Sequence, residues 1–303
     1  MEKILVVGSG AIAGLYGGKL SQAGCKVDFL VRSEVELLRK CGFQINSVWG
    51  DFHFHPENVF GPSEDIDLDK YDFIFCCLKV LPEIRIKKIL GREPSKNTAL
   101  VLLQNGIGIE APVSEDFPNS EIISGLAFVC ANRLSPGVIS HIDYGALNFG
   151  SWNRNDSPKS KRISELFSNV GVPTEYSDDI RSARWKKLMW NAPFNPLSVI
   201  TGGCDTTRLL SDPVCKRMIF EIMQEVQMLG ESFGAVFPEN FIENLMDMSD
   251  KMKPYKTSML LDFEAGRKME TEAILGNAVR MAKEKNLEIP RINTLYAILR
   301  FFP

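Results

Sequence analysis

Lys3-Ile-Leu-Val-Val7-Gly8-Ser9-Gly10-Ala11-Ile12-Ala13-Gly14 opens the chain, and its reading decides the fold. Lys3 to Val7 is a short β-branched run, too brief for a helix and suited to a buried parallel strand. The residues from Leu15 to Gly24 read as a helix. Between them stands a G-x-G-x-x-G/A turn in the strand-turn-helix setting that gives the motif meaning. Gly8 permits the tight turn, Gly10 lets backbone approach a pyrophosphate, and Ala13 keeps the helix close to the strand. With Ser9, Ala11 and Ile12 they form a phosphate cradle, because the first N–H groups of a helix lack partners and carry its positive dipole end.

Cofactor choice turns on the end of the next strand, Lys26-Val-Asp28-Phe-Leu-Val31-Arg32-Ser33. An NAD site usually carries an acid there for the ribose 2′-hydroxyl. Asp28 has the right count from Gly8 and is the rival reading, but it lies roughly 10 Å short of the strand end at strand rise. Val31 holds the usual acidic position, and Arg32 with Ser33 follows. A guanidinium and a hydroxyl suit a 2′-phosphate, so the expected cofactor is NADPH/NADP+. The competing reading of Arg32 is a surface arginine at a loop mouth.

Asp72 to Leu78 and Thr98 to Leu103 are further apolar runs, ending at Lys79 and at Gln104-Asn105-Gly106. Residues just past such strand ends face the ligand crevice of an open α/β sheet. Lys79 reads equally well as a solvated loop lysine, and Asn105 as part of a plain Asn-Gly turn. Ile122–Asn132 and Val138–Gly150, around a Ser-Pro-Gly turn, read as added strands. The strand pattern gives out near residue 178, and the rest is helical in pattern. The expected architecture is a Rossmann-type α/β domain over 1–178 followed by an all-α domain over 179–303. Ser211-Asp-Pro213 should start a helix that stops at Gly234, with Val214, Met218, Ile222, Val226 and Leu229 as its apolar face. Pro238 and Pro290 should open later helices.

The formal net charge of −3 has no basic block, so nucleic acid has no electrostatic footprint. No apolar stretch is long enough to span a bilayer, and no signal peptide is visible. Seven scattered cysteines without C-x-x-C spacing point to a reduced, cytoplasmic chain lacking disulfides or a metal site. His53, His55 and His141 lie away from the crevice edge and receive no catalytic role.

Arg184-Trp-Lys-Lys187-Leu-Met-Trp-Asn191-Ala-Pro193-Phe-Asn195-Pro196 carries the chemistry of the second half. On a helix, Lys187, Asn191 and Asn195 form a stripe at i, i+4 and i+8, where the competing reading is a solvated face. Pro193 and Pro196 remove hydrogen bonds to the carbonyls of Met189 and Ala192, so a straight stripe is not expected. Asn195 should arrive by a kink or a helix end. Reduction of a ketone by a nicotinamide needs a held carbonyl, a proton for the alkoxide and an anchor for the rest of the substrate. Lys187 is the expected proton donor; Lys186 competes but falls off the stripe. A second polar series runs from Thr257-Ser258 through Asp262 to Glu270. Ser258 and Glu270 would lie about 18 Å apart on a straight helix, so the segment should break, with Gly266 the expected place. Its competing reading is one amphipathic surface helix.

Together these pieces make the chain resemble the ketopantoate reductases (2-dehydropantoate 2-reductases) over nearly its full length. They are Gly8 to Gly14, Arg32, Leu78-Lys79, Leu103-Gln-Asn105-Gly, Gly137-Val-Ile, Trp185-Lys-Lys187-Leu, Asn191, Asn195-Pro-Leu, Thr257-Ser258-Met-Leu and Asp262 to Glu270. The resemblance implies an NADPH-dependent enzyme of pantothenate synthesis, with its active site between a Rossmann domain and a helical one. It implies Lys187 as general acid, with Asn105, Asn191, Asn195 and Ser258 holding the keto acid. Glu270 would orient the substrate hydroxyl or the nicotinamide ribose, Arg32 and Lys79 would serve NADPH, and Ala131 would line the cofactor cleft.

The sequence departs from the family pattern at three places. Ala13 replaces the commoner third glycine, Pro193 stands where an aliphatic residue is expected, and Asp205 falls near a usual asparagine. The expected partner is a small 2-oxo acid, with neither nucleic acid nor membrane; a homodimer is compatible with the sequence, which does not itself give the oligomeric state. Two rival functions remain at this level: reduction of another 2-oxo acid or ketone, and a non-catalytic NADP-binding sensor.

Overall fold

The computed structural model describes residues 1–302, so Pro303, the last residue of the expected helical domain, lies outside the described residues. The chain begins β1 (Lys3–Val7), α1 (Ala11–Gln22), β2 (Lys26–Leu30), α2 (Val35–Cys41), β3 (Phe43–Ser47), β4 (Phe52–Phe54) and β5 (Val59–Phe60). It continues β6 (Phe73–Cys76), α3 (Ile86–Leu90), β7 (Ala99–Leu103), α4 (Glu110–Asp116), β8 (Glu121–Ser135), β9 (Val138–Ser151), α5 (Pro158–Ser168) and β10 (Thr174–Tyr176).

These strands form one sheet in which β5-β2-β1-β6-β7-β8 run parallel. The order reverses between β1 and β6, the topological switch point at which doubly wound sheets hold ligands. A parallel sheet is covered on both faces, so its central strands must be apolar throughout. Ile4 to Val7 are all at most 2% exposed, as are Ile74 to Cys76 and Ala99 to Leu102. β9 returns antiparallel along β8 with three register shifts. Its other edge pairs with β3 near Val138–His141 and with β10 near Leu147–Phe149.

Close approach of α1 to the sheet depends on its glycines. A Cβ at Gly14 would meet Ile139 at 2.8 Å, and Cβ atoms at Gly17 and Gly18 would meet Phe29 and Phe52 at 2.6 Å. The aromatic rings therefore occupy the space that side chains on the helix would fill.

The remainder is helical: α6 (Ile180–Ile200), α7 (Thr206–Ser211), α8 (Pro213–Ser232), α9 (Phe241–Asp250), α10 (Ser258–Glu264), a π turn at Glu272–Gly276, α11 (Asn277–Glu284) and α12 (Pro290–Leu299). An α/β domain followed by a helical one is thus what the sequence leads one to expect. Asp212 caps α8 by accepting from the Cys215 amide at 2.8 Å, with Pro213 at the first position. Ile222, Val226 and Leu229 are fully buried on its apolar face, but Val214 is 79% exposed. The face therefore begins a turn later than its periodicity indicates. Pro238 does not open a helix; α9 begins at Phe241, behind Asn240 in the left-handed region.

Contacts divide the chain into two compact units. The first comprises Met1–Lys79, Ile84–Gln104 and Glu110–Ile180; the second comprises Val80–Glu83, Asn105–Ile109 and Arg181–Pro303. The helical unit thus includes two short pieces from the α/β part of the sequence.

Candidate active site

In the first unit, Gly8 lies at φ +118°, and a Cβ there would come within 3.1 Å of the Cys77 carbonyl. Its amide donates to the Leu30 carbonyl at 2.9 Å, which ties the turn to the end of β2. Above Gly10 a Cβ would meet nothing within 4 Å, so that face of the turn is open. No side chain caps α1, and its first turn holds no acid. Open space over unpaired N–H groups at a positive dipole end fits a dinucleotide pyrophosphate. Ala13 is fully buried, while Ser9, Ala11 and Ile12 keep partial exposure at the rim.

Asp28, the rival acid, is committed elsewhere. Its carboxylate accepts from Tyr71 Oη at 2.6 Å and Asn58 Nδ2 at 2.9 Å, and Lys70 Nζ lies 3.3 Å away. Burial, then the bond to Asp28, pushes the Tyr71 phenol well above its ordinary pKa. Arg32 and Ser33 are exposed immediately beyond β2, whereas Lys79 and Ala131 are partly buried, past β6 and on β8. The acid that does reach the glycine turn is Glu34, whose Oε2 accepts from Ser9 Oγ at 3.4 Å. Sequence reading passes over it because it stands beyond the usual acidic position.

The second unit joins three of the expected residues directly. Lys187 Nζ donates to Asn105 Oδ1 at 2.8 Å, and Asn105 Nδ2 donates to Glu270 Oε2 at 3.3 Å. Glu270 Oε1 accepts from the Val80 amide at 2.9 Å, which fixes the carboxylate at its other end. Burial lowers the Lys187 pKa to about 7; the nearby Arg184 guanidinium adds to that, and Glu270 opposes it. An ammonium with a pKa near neutrality is poised to transfer its proton. Arg184 is itself 2% exposed and donates to the Gly106 carbonyl at 3.2 Å. It belongs to the quoted stretch, but periodicity alone does not mark it as the neighbour that sets the charge around Lys187.

The loop carrying Asn105 is held by backbone rather than by a turn alone. Gly106 has φ +107°, and a Cβ there would sit 2.7 Å from both the Cβ and the carbonyl oxygen of Ala273. The Ile107 amide donates to that same carbonyl at 2.9 Å, and Asn277 Nδ2 donates to the Ile107 carbonyl at 2.6 Å. Glycine is required here by close approach to the π turn.

Asn195 lies within α6, since the helix continues through both prolines to Ile200; delivery by a helix end is therefore ruled out. Asn191 and Asn195 are 8% and 1% exposed, and the Asn195 Nδ2 has no hydrogen-bond partner in the protein. A buried amide donor without an acceptor is costly, which suits a group that waits for a ligand oxygen. Ser198 Oγ donates to the Asn195 carbonyl at 2.8 Å and shares a 2.7 Å hydrogen bond with Thr257 Oγ1. Thr257 caps α10, so this chain of bonds links Asn195 to the helix start that carries the exposed Ser258. Gly266, at φ +62°, ends the helix at the expected place, with the Arg267 amide donating to the Asp262 carbonyl at 2.8 Å. Glu270 follows that break. Asp205 caps α7 through the Arg208 amide at 2.8 Å, so its carboxylate has a structural task.

Seven cysteines are free, and among the described residues no group of three His, Cys, Asp or Glu is placed to hold a metal ion. No described helix is long and apolar enough to cross a membrane.

Comparison with known proteins places this geometry. Residues 4–154 match the family described as ketopantoate reductase PanE/ApbA, and residues 179–302 match its C-terminal counterpart. A 2-dehydropantoate 2-reductase of a Nostoc species is 35% identical over 99% of this chain and 95% of its own length. The crystal structure of a 2-dehydropantoate 2-reductase from Methylococcus capsulatus is 38% identical with a TM-score of 0.91, covering 98% of this chain and 96% of that one. One from Geobacter metallireducens is 28% identical with a TM-score of 0.91, covering 98% and 99%. With both halves matched in order, the chain belongs to the ketopantoate reductase family of oxidoreductases, enzymes that act on a C=O/CH–OH group with a nicotinamide dinucleotide.

Proposed function

We propose that the protein reduces 2-dehydropantoate to pantoate with NADPH, using Lys187 as the proton donor. The observation that carries this reading is the hydrogen-bonded series Lys187–Asn105–Glu270 around an ammonium whose pKa is lowered to about 7. NADPH, when bound, supplies the hydride to the 2-keto carbon. Lys187 stabilises negative charge growing on the carbonyl oxygen and transfers its proton there, leaving a neutral amine that solvent reprotonates. Asn105 aims the lysine. Asn191 and Asn195 offer amide donors to the substrate carboxylate, and the unpartnered Asn195 Nδ2 supports that role. Ser258 adds a hydroxyl for the substrate, and Glu270 orients its hydroxyl or the nicotinamide ribose.

For the cofactor, Gly8, Ser9, Gly10, Ala11, Ile12 and Ala13 receive the pyrophosphate, Arg32 the 2′-phosphate, and Lys79 and Ala131 line the cleft. Asn105 and Glu270 serve both ligands. Residues 1–178 then supply the NADP-binding domain and 179–303 the substrate domain, to which the contacts add Val80–Glu83 and Asn105–Ile109, of a cytoplasmic enzyme that works as a homodimer. Asp205, which departs from the family's usual asparagine, is engaged as the cap of α7. A panel of 2-oxo acids assayed with both NADPH and NADH tests the reading. Ketopantoate with NADPH should give the highest kcat/KM. A different preferred acid would replace the substrate, and tight NADPH binding with no turnover of any acid would leave a sensor.

A further inference from the structure

Beyond β2 the chain reads Val31-Arg32-Ser33-Glu34, at the sheet edge that serves the adenosine ribose in this fold. Glu34 adopts φ 70°, ψ 15°, a left-handed conformation that a non-glycine residue occupies under strain. That conformation turns its carboxylate back onto the glycine turn, where Oε2 accepts from Ser9 Oγ at 3.4 Å. Arg133, near the end of β8, donates one Nη1 to both carboxylate oxygens, at 3.1 and 3.0 Å. The Glu34 side chain is only 16% exposed, against 37% for Arg133. Glu34 therefore links Ser9 of the phosphate cradle to Arg133 on β8, with Arg32 exposed close by in sequence.

A 2′-phosphate carries close to two negative charges and no donor at neutral pH, so a carboxylate beside it is repulsive. A ribose 2′-hydroxyl, by contrast, can donate to that carboxylate. We propose that Glu34 and Arg133 are specificity-determining residues of the dinucleotide site: Glu34 opposes a 2′-phosphate, and Arg133, released from Glu34, joins Arg32 as its second cation. The inference rests on the NADPH reading above. Arg133 is the more exposed partner, so its end of the ion pair can turn toward a phosphate, while the less exposed Glu34 carboxylate keeps the Ser9 hydroxyl as a partner. Cofactor preference is then a balance between two arginines and one glutamate.

Dissociation constants for NADPH and NADH, measured by nicotinamide fluorescence for the wild type, Glu34→Gln, Arg133→Gln and the double variant, test it. Glu34→Gln should tighten NADPH about tenfold relative to NADH, the effect of removing one like charge at short range. Arg133→Gln should weaken NADPH about tenfold relative to NADH. In the double variant the gain from Glu34→Gln should shrink, because Arg133 is no longer there to be released. A lowered melting temperature with an unchanged NADPH-to-NADH ratio would make the pair a purely structural tie and overturn the proposal. Equal changes for both cofactors would overturn it as well. The wild-type ratio is a separate readout: a preference for NADH would reject the NADPH reading, while a ratio that still shifts in Glu34→Gln would uphold this one.

Discussion

Lys187 combines two properties that usually exclude each other, a lowered pKa and a hydrogen bond that keeps its proton aimed. Burial, assisted by Arg184, destabilises the ammonium, while Glu270 holds the pKa up, leaving it at about 7. With Lys187 as the proposed proton donor the acid form is the one reduction uses, so kcat should be level below neutrality and fall as pH rises through that value. A profile flat to pH 9 would exclude Lys187 as the titrating acid. Lys187→Ala should lower kcat about a hundredfold, the lower end of what a positioned acid contributes, with cofactor binding intact by fluorescence. Arg184→Met removes a cation that depresses the Lys187 pKa, so the high-pH fall should move to higher pH; Arg184→Lys should move it back. Residue-scale legibility was uneven. Lys187, Asn105 and Glu270 were readable because each sits at a strand end, on a helical stripe or in a recurring motif. Glu34 was not, because its importance comes from a left-handed backbone that sequence does not announce.

At the scale of elements, helix α6 shows a local rule overridden by packing. Each internal proline removes a hydrogen bond and crowds the preceding turn, a cost of about 3 kcal/mol or more. Yet Ala192, Phe194, Leu197 and Val199 around them are all at most 4% exposed, and Ser198 ties the Asn195 carbonyl. Burial of this stretch on all sides within the helical core compensates for the lost bonds. A single-sequence reading weighs the prolines but not the core, so it leaves a kink and a helix end as alternatives where the helix in fact continues. The break at Gly266 was legible for the converse reason: a straight helix could not bring Ser258 and Glu270 to one small substrate. Gly106 is the position in the site with no room for a side chain. Gly106→Ala would force a Cβ onto Ala273 at positive φ, and should cost about 2–4 kcal/mol in urea unfolding. Asp205→Ala, which only removes a helix cap, should cost about 1 kcal/mol. If the two variants unfold alike, the bracing of the Asn105 loop by the π turn is not what holds it.

Across the whole molecule, the division of labour is not a division of the sequence at one point. Strand periodicity ends near residue 178 because periodicity is a local property. Contacts are not local, and they assign Val80–Glu83 and Asn105–Ile109 to the helical unit. These two short pieces bring groups that the helices lack: the Val80 amide for Glu270, the Asn105 side chain for Lys187, and the Gly106–Ile107 backbone for the π turn. A fragment covering residues 179–303 should therefore fold its central helices but not its reactive corner. In hydrogen exchange, amides of α8 around Ile222 to Leu229 should stay protected in the fragment, since that face is buried in the helical core itself. Amides from Glu270 to Asn277 should lose protection by at least about tenfold relative to the intact chain, or roughly 1.4 kcal/mol of local stability. Equal protection in both would mean that the helices alone specify the conformation around Glu270. Loss of protection throughout would mean that the two inserted pieces hold up the entire helical unit. The expected, confined loss would show that the conformation around Glu270 depends on the inserted pieces, one of which carries the Asn105 side chain bonded to Lys187.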